Sequence, residues 1–183
     1  MLNDPLVQIL MYFILPLWVL AGFADWACHR ATKIETTSGL KESLLHLLQF
    51  AEIGVALLAA LFLSINAGII AFVIAVFLLH EATAWWDINY ASSARKIVPV
   101  EQLVHSFLEI IPLIGIICVS ALHWGQFLAL FGAGSEQARF TLSLKPEPLP
   151  AAYVASLMFA VVVLLVIPFI EETLRCLRAR RTM

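Results

Sequence analysis

Five stretches of this chain are each long and apolar enough to cross a lipid bilayer, and nothing else in it constrains the fold as tightly. A spanning helix needs about 20 mostly apolar residues. Such stretches cover residues 5–27, 42–63, 67–86, 101–122 and 151–170. Inside hydrocarbon no water satisfies the backbone, so each stretch must close its own hydrogen bonds as a helix. The composition agrees: 62% of residues are hydrophobic and 13% charged, against about 25% charged in a soluble domain. The expectation is an all-α, polytopic membrane helical bundle, a single integral membrane domain over residues 1–183. Four core transmembrane helices are joined by a fifth, C-terminal one.

The N-terminal "MLNDPLVQILMYF" lacks the basic region and cleavage site of a signal peptide, and it reads as the start of the first span. Three widely spaced cysteines, Cys28, Cys118 and Cys176, form neither a CxxC pair nor an even framework, so no disulfide or zinc ribbon is expected. The apolar run that begins at Glu101, "EQLVHSFLEIIPLIGIICVSALHWGQFLALF", is too long for one upright helix, about 46 Å at the helical rise. Pro112 is a candidate kink, and residues 121–131 either continue the span or form a separate interfacial segment.

Lysine and arginine orient the bundle. Nine of them (Arg30, Lys33, Lys41, Arg95, Lys96, Arg175, Arg178, Arg180 and Arg181) fall on one side of a five-span arrangement, and only Arg139 and Lys145 on the other. Cytoplasmic segments carry such an excess. This places the C-terminus and the 28–41 and 88–100 segments in the cytoplasm, with the N-terminus periplasmic in a bacterial inner membrane. No basic stripe interleaved with aromatics suggests nucleic acid.

The polar residues of the spans converge on that same side. Asp25 and His29 close the first span, Glu42 and His46 open the second, His80, Glu81 and Asp87 close the third, and Glu101, His105 and Glu109 open the fourth. Asp25/His29, Glu42/His46 and Glu101/His105 are each four residues apart, which sets both side chains on one helix face. His80 and Asp87 are two turns apart, with the small Ala84 between them. Ionisable groups in a membrane are expensive and point to function. Imidazoles and carboxylates on facing helices are how bundles build metal sites. The expected metal ligands are therefore Asp25, His29, Glu42, His46, His80, Asp87, Glu101 and His105, holding a divalent metal, with two irons favoured and zinc the alternative. Each residue also has an ordinary reading as a helix cap, an interfacial hydrogen-bonder or a salt-bridge partner.

Around this set, Glu81, Glu109 and Tyr90 are candidate catalytic groups, and Arg95 and Lys96 a candidate pair for a lipid headgroup. Tyr90 reads equally as an aromatic-belt residue, and Arg95 and Lys96 as the positive-inside signal. Glu52 lies deeper and is rotated away from His46, with its role open among a supporting contact, a proton route and helix packing. His123 beside Trp124 reads as interfacial. The Glu-x-x-x-His spacing differs from the Glu-x-x-His of soluble di-iron bundles, so the likeness is one of chemistry. The histidine boxes of membrane desaturases are absent, and His80-Glu81 does not continue into HExxH. "EETLRCLRARR" falls one residue short of the EExxxR of CAAX-type membrane proteases; it reads as a basic tail with a salt bridge from Glu171 or Glu172 to Arg175.

The segments "FADWACHR", "ESLLHL", "LLHEATAWWD" and "VEQLVHSFLE" resemble a family of small bacterial multi-span membrane proteins without an assigned role. The resemblance covers the first four spans and implies the same orientation. Some members carry the label diguanylate cyclase, but the GGDEF-type signature of that activity is absent here, as is room for a soluble cyclase domain.

Three functions compete. One is a membrane di-iron oxidoreductase, a hydroxylase, desaturase or quinol-linked oxidase, with a lipophilic substrate, membrane lipids and a redox partner. The second is a zinc-dependent membrane lipid hydrolase, in which about three of the same residues hold the metal and Glu81 or Glu109 acts as base. The third is a non-enzymatic haem- or metal-binding component, with haem axial pairs such as His29/His105 or His46/His80. The charge bias yields a direct test of orientation: a fluorescent protein fused after residue 183 should fold and fluoresce in a bacterial host, whereas alkaline phosphatase at the same point should be inactive. The opposite pattern would invert the arrangement.

Overall fold

The computed structural model describes residues 2–181. Five long helices dominate: α1 (Pro5–Thr32), α2 (Gly39–Phe62), α3 (Ala67–Ala94), α4 (Pro99–Leu122) and α6 (Ala151–Arg181), each apolar and long enough to cross a membrane. A short helix, α5 (Trp124–Ala129), follows α4. The chain beyond residue 122 is thus a separate segment, broken at the non-helical His123 (φ −120°, ψ 41°). The long helix runs unbroken through Pro112.

Most helices outrun their apolar stretches. α1 extends five residues past 27, α3 eight past 86 and α6 eleven past 170. Those extra turns carry the charged residues, and tertiary partners rather than apolarity hold them helical. Two π-helical turns, Leu10–Ile14 in α1 and Val162–Val166 in α6, end two residues before Pro16 and Pro168. A proline ring clashes with the carbonyl four residues back and lacks its own N–H. Widening the preceding turn absorbs both effects without breaking the helix.

Burial is inverted relative to a soluble protein. Large apolar side chains such as Leu78, Trp85, Ile110, Ile117 and Phe159 face outward, while Asp25, His29, Glu42, His46, Asp87, Glu101 and Glu172 are buried. A core of Ile14, Trp18, Val19, Ile53, Leu61, Ile111, Leu165 and Phe169 fills the bundle between its ends. The 130–150 connection folds back over the α2–α3 turn: Ser64 N–H donates to the Ser143 carbonyl (2.8 Å), and Lys145 N–H donates to the Phe62 carbonyl (2.9 Å). Asn66 caps α3 by accepting from the Ile69 N–H (3.1 Å).

α6 packs closely against α1 at Gly22. A Cβ built there would stand 2.6 Å from Leu165 Cδ2, and Leu165 is itself buried at 1% exposure with nowhere to withdraw. Gly22→Leu should therefore destabilise the bundle by about 1–3 kcal/mol through overpacking. Thermal melting in detergent measures this, and an unchanged midpoint would refute the close contact.

Candidate metal centre

At the end of the bundle that carries the 33–38 and 95–98 connections, four helices present imidazoles and carboxylates to one another. α1 supplies Asp25 and His29, α2 Glu42 and His46, α3 Asp87, and α4 Glu101 and His105. Each comes from a face on which residues four apart stack one turn above the other. A fifth helix joins them: α6 drives Glu172, fully buried, into the middle.

Glu172 organises the centre. Its Oε2 lies 3.1 Å from His29 Nδ1 and its Oε1 2.9 Å from His46 Nδ1. With Glu172 ionised, its oxygens only accept hydrogen bonds, and both Nδ1 atoms are then the donors. The two imidazole rings stack, 4.2 Å between centroids and 8° from parallel. With the Nδ1 atoms committed, the Nε2 atoms point away from Glu172 toward the other acids. His29 Nε2 faces Asp25 Oδ1 at 3.4 Å and Glu101 Oε1 at 3.3 Å. His46 Nε2 faces Asp87 Oδ2 at 3.2 Å and Glu42 Oε1 at 3.9 Å. His105 Nε2 stands 2.9 Å from Asp25 Oδ1. His29 Nε2 and His46 Nε2 make no well-directed hydrogen bond and meet these acids only as close ion-pair contacts.

Those distances suit metal ligation. Two donors each about 2.1 Å from one ion stand roughly 3.0–3.4 Å apart in octahedral or tetrahedral geometry. Two groups of donor atoms lie close enough to share an ion, Asp25/His29/His105 and His29/Glu42/His46. His29 belongs to both, yet its Nδ1 is taken by Glu172, so it can serve only one. Two ions would therefore divide the set as Asp25, His29, Glu101 and His105 against Glu42, His46 and Asp87.

Arg95 closes the centre from the 95–98 connection. Its Nε donates to Glu42 Oε2 (3.1 Å) and its Nη1 to Glu101 Oε2 (3.0 Å), and Nη2 bonds the second oxygen of each. Its side chain is 3% exposed. Burial alone would lower the guanidinium's pKa, but the hydrogen bonds and charges of Glu101 and Glu42 outweigh it and hold it above its ordinary value. Five carboxylates (Asp25, Glu42, Asp87, Glu101 and Glu172) against one guanidinium leave four negative charges when the imidazoles are neutral, a charge that bound cations, or protons on His29, His46 and His105, would offset. Gln49 donates to Asp87 Oδ2 (3.1 Å), a supporting bond of the kind that orients ligating carboxylates.

Several expected residues lie elsewhere. His80 is not in the cluster: its Nδ1 faces Glu52 Oε2 at 3.6 Å, and Glu52 Oε1 accepts from Thr83 (2.9 Å). Seven residues along a helix are about 10 Å, so Asp87 reaches the centre while His80 lies two turns deeper. His80 still lines a small space of about 30 Å³ bounded by Asp25, His46, Asp87, His105 and Glu109. Glu81 is outside that space, interacting electrostatically with Glu109. Tyr90 does not face the centre: its hydroxyl donates to the Ser38 carbonyl (2.8 Å), and Lys41 sits over its ring. The Arg95/Lys96 pair is split, Arg95 turned inward onto the two glutamates and Lys96 exposed. A headgroup would find only the lysine accessible.

Neither the place of Glu172 in the centre nor the inward turn of Arg95 follows from helical spacing alone. The sequence signal for Glu172 is its place on one helix face with the apolar Leu165, Phe169 and Cys176, at spacings of four, three and four, a stripe the structure buries. Its neighbour Glu171 faces the other way, accepting from Trp26 Nε1 (3.1 Å) and pairing with Arg30 and Arg175.

No family model, curated protein or solved structure matches this chain. The helices and the cluster define the class unaided: a multi-span, all-helical membrane bundle with a buried histidine–carboxylate centre able to hold metal. Arg95→Ala would leave Glu42 and Glu101 buried and uncompensated, a change that typically costs about 3–5 kcal/mol. The Arg95→Ala protein purified without metal should melt far below wild type, and Glu42→Gln added to it should recover part of the loss. Equal melting of wild type and Arg95→Ala would show that the clamp does not hold the bundle.

Proposed function

We propose that this protein is a membrane metalloenzyme that holds two divalent ions, iron in the favoured assignment, and oxidises a lipid or quinone-like substrate. The single observation that carries the reading is the pair of buried Nε2 atoms of His29 and His46. Each is oriented by a Glu172-bound Nδ1, makes no well-directed hydrogen bond, and faces carboxylate oxygens at ligand-to-ligand distance. A cation placed between them would satisfy both sides of such a contact, the role a proton on Nε2 fills when no metal is bound. Mixed imidazole and carboxylate donors suit iron. With dioxygen as oxidant, hydroxylation or desaturation draws two electrons from a redox partner and releases water. Burial keeps that chemistry away from bulk solvent. The nine-to-two distribution of Lys and Arg supports a cytoplasmic position for the centre.

A zinc hydrolase is the second reading, favoured by one observation: Glu109 lines the small space beside Asp25 and His105, where a base would act on a metal-bound water. Haem fits less well, because Asp25 and Glu101 occupy the space in front of His29 Nε2 where a porphyrin would lie.

Elemental analysis of protein purified in mild detergent separates these readings. Two irons per chain and no Soret band are expected; one zinc supports the hydrolase, and a Soret band the haem component. His46→Ala and His105→Ala should each strip metal, and full occupancy in both would overturn the ligand set. Glu172→Gln should keep the fold and weaken metal binding about 10–100-fold, the usual effect of removing a carboxylate that orients a ligating histidine.

A further inference from the structure

Beyond the polar centre, the bundle contains a second feature without an assigned role: an apolar cavity of about 210 Å³ between α1, α2, α3 and α4. Its wall begins next to the centre. Ile53 follows Gln49 by one turn of α2, Phe77 precedes His80 by one turn of α3, and Ile111 follows Leu108 by one turn of α4, the second residue of each pair lining one space and the first lining the other. From Ile111 the wall continues along α4 to Leu122, a rise of about 16 Å. That is roughly half of a 30 Å hydrocarbon core, the reach of one acyl chain. Gly115 leaves the wall open, since a Cβ there would meet nothing within 4 Å.

The far end is cationic. Lys145 and His123 line it. The Lys145 ammonium donates to the Ala60 carbonyl (2.7 Å), and among the described residues no carboxylate forms an ion pair with it. Burial pushes its pKa down, so this end favours an added negative charge. The acid and bases near His123 are Glu136, Arg139 and Lys145.

We infer that the cavity binds a single-chain amphiphile with an anionic head, of which a long-chain fatty acid is the simplest, with its head at Lys145 and its tail running toward the histidine–carboxylate centre. That the tail is what the centre acts on rests on the metalloenzyme reading; the binding itself does not. The tail end, not the head, is then the part offered to the metals, past Phe77 of the cavity and His80, paired with Glu52, at the edge of the small space.

Trp18 lines the cavity and belongs to α1 two turns before Asp25, at the end nearer the centre. The test uses stearic acids brominated near the terminal methyl or near the carboxyl, added to metal-stripped protein in phosphatidylcholine vesicles. The Trp18 signal is the difference between wild type and Trp18→Phe. Tail-brominated acid should quench Trp18 more than head-brominated acid does; the reverse order would overturn the orientation, and no Trp18-dependent quenching would overturn binding. Gly115→Leu, with Ala56→Leu as a second filling variant, should weaken binding roughly tenfold, and unchanged affinity in both folded variants would refute the site. Wild type should prefer the acid over its methyl ester by roughly tenfold, and Lys145→Met should abolish that preference. An ester bound as well as the acid by wild type, or a preference surviving in Lys145→Met, would refute the anionic head. Because the ions are removed beforehand, a failure here leaves the metal reading untouched, and a protein found to hold no metal leaves this result standing.

Discussion

The centre depends on one carboxylate holding two imidazoles. Glu172 accepts from Nδ1 of both His29 and His46, at 3.1 and 2.9 Å, and is itself fully buried. In a medium of low dielectric an unpaired carboxylate is costly and a doubly bonded one is not. The arrangement fixes which nitrogen of each ring is engaged and so decides what the opposite nitrogen can do. Everything on the other side of the rings, Asp25, Glu101, Asp87 and Glu42, is organised around the two remaining Nε2 atoms. Removing Glu172 would free the rings to turn, and the set of acids would lose its common target.

Placing Glu172 requires the fifth helix to be locked in rotation as well as in depth. Three observations account for that. Gly22 lets α6 approach α1 closely at Leu165; Glu171, one residue earlier and so about 100° around the helix, binds Trp26 and Arg30 of α1; Arg175 pairs with Glu35 in the 33–38 connection. The polar contacts at the helix end and the close packing at mid-depth set one register between them. Arg95 performs the equivalent task on the opposite wall, tying α2 to α4 through Glu42 and Glu101.

The spans and the convergence of His29, His46, His105 and their acids were legible in the sequence because both follow from period and length. A run of apolar residues reports a membrane crossing regardless of context, and residues four apart share a face regardless of what they meet. What the sequence could not convey was partner choice across helices. His80 and Asp87 share a face of α3, yet one meets Glu52 and the other His46, because depth as well as face decides which neighbour a side chain finds. Glu172 looked like the start of a charged tail because hydropathy ends the span at residue 170, whereas the helix continues to Arg181. Arg95 looked like a surface charge because its inward turn depends on two acids on other helices.

The energetics argue that this centre is not a stability device. Buried ion pairs are seldom better than well-packed apolar residues of similar size, since desolvation offsets most of the attraction. Eight ionisable side chains from five helices, with Arg95 as their clamp, therefore carry a cost that packing alone would never demand. Proteins retain such costs where activity needs them. The apolar cavity that begins one turn away has the same implication from the other direction: a bundle selected only for stability would have filled it, as Gly115 and the open wall of α4 have not. A buried polar centre and an apolar cavity whose walls begin one helical turn apart are the two parts that the proposed chemistry on a lipid chain would use.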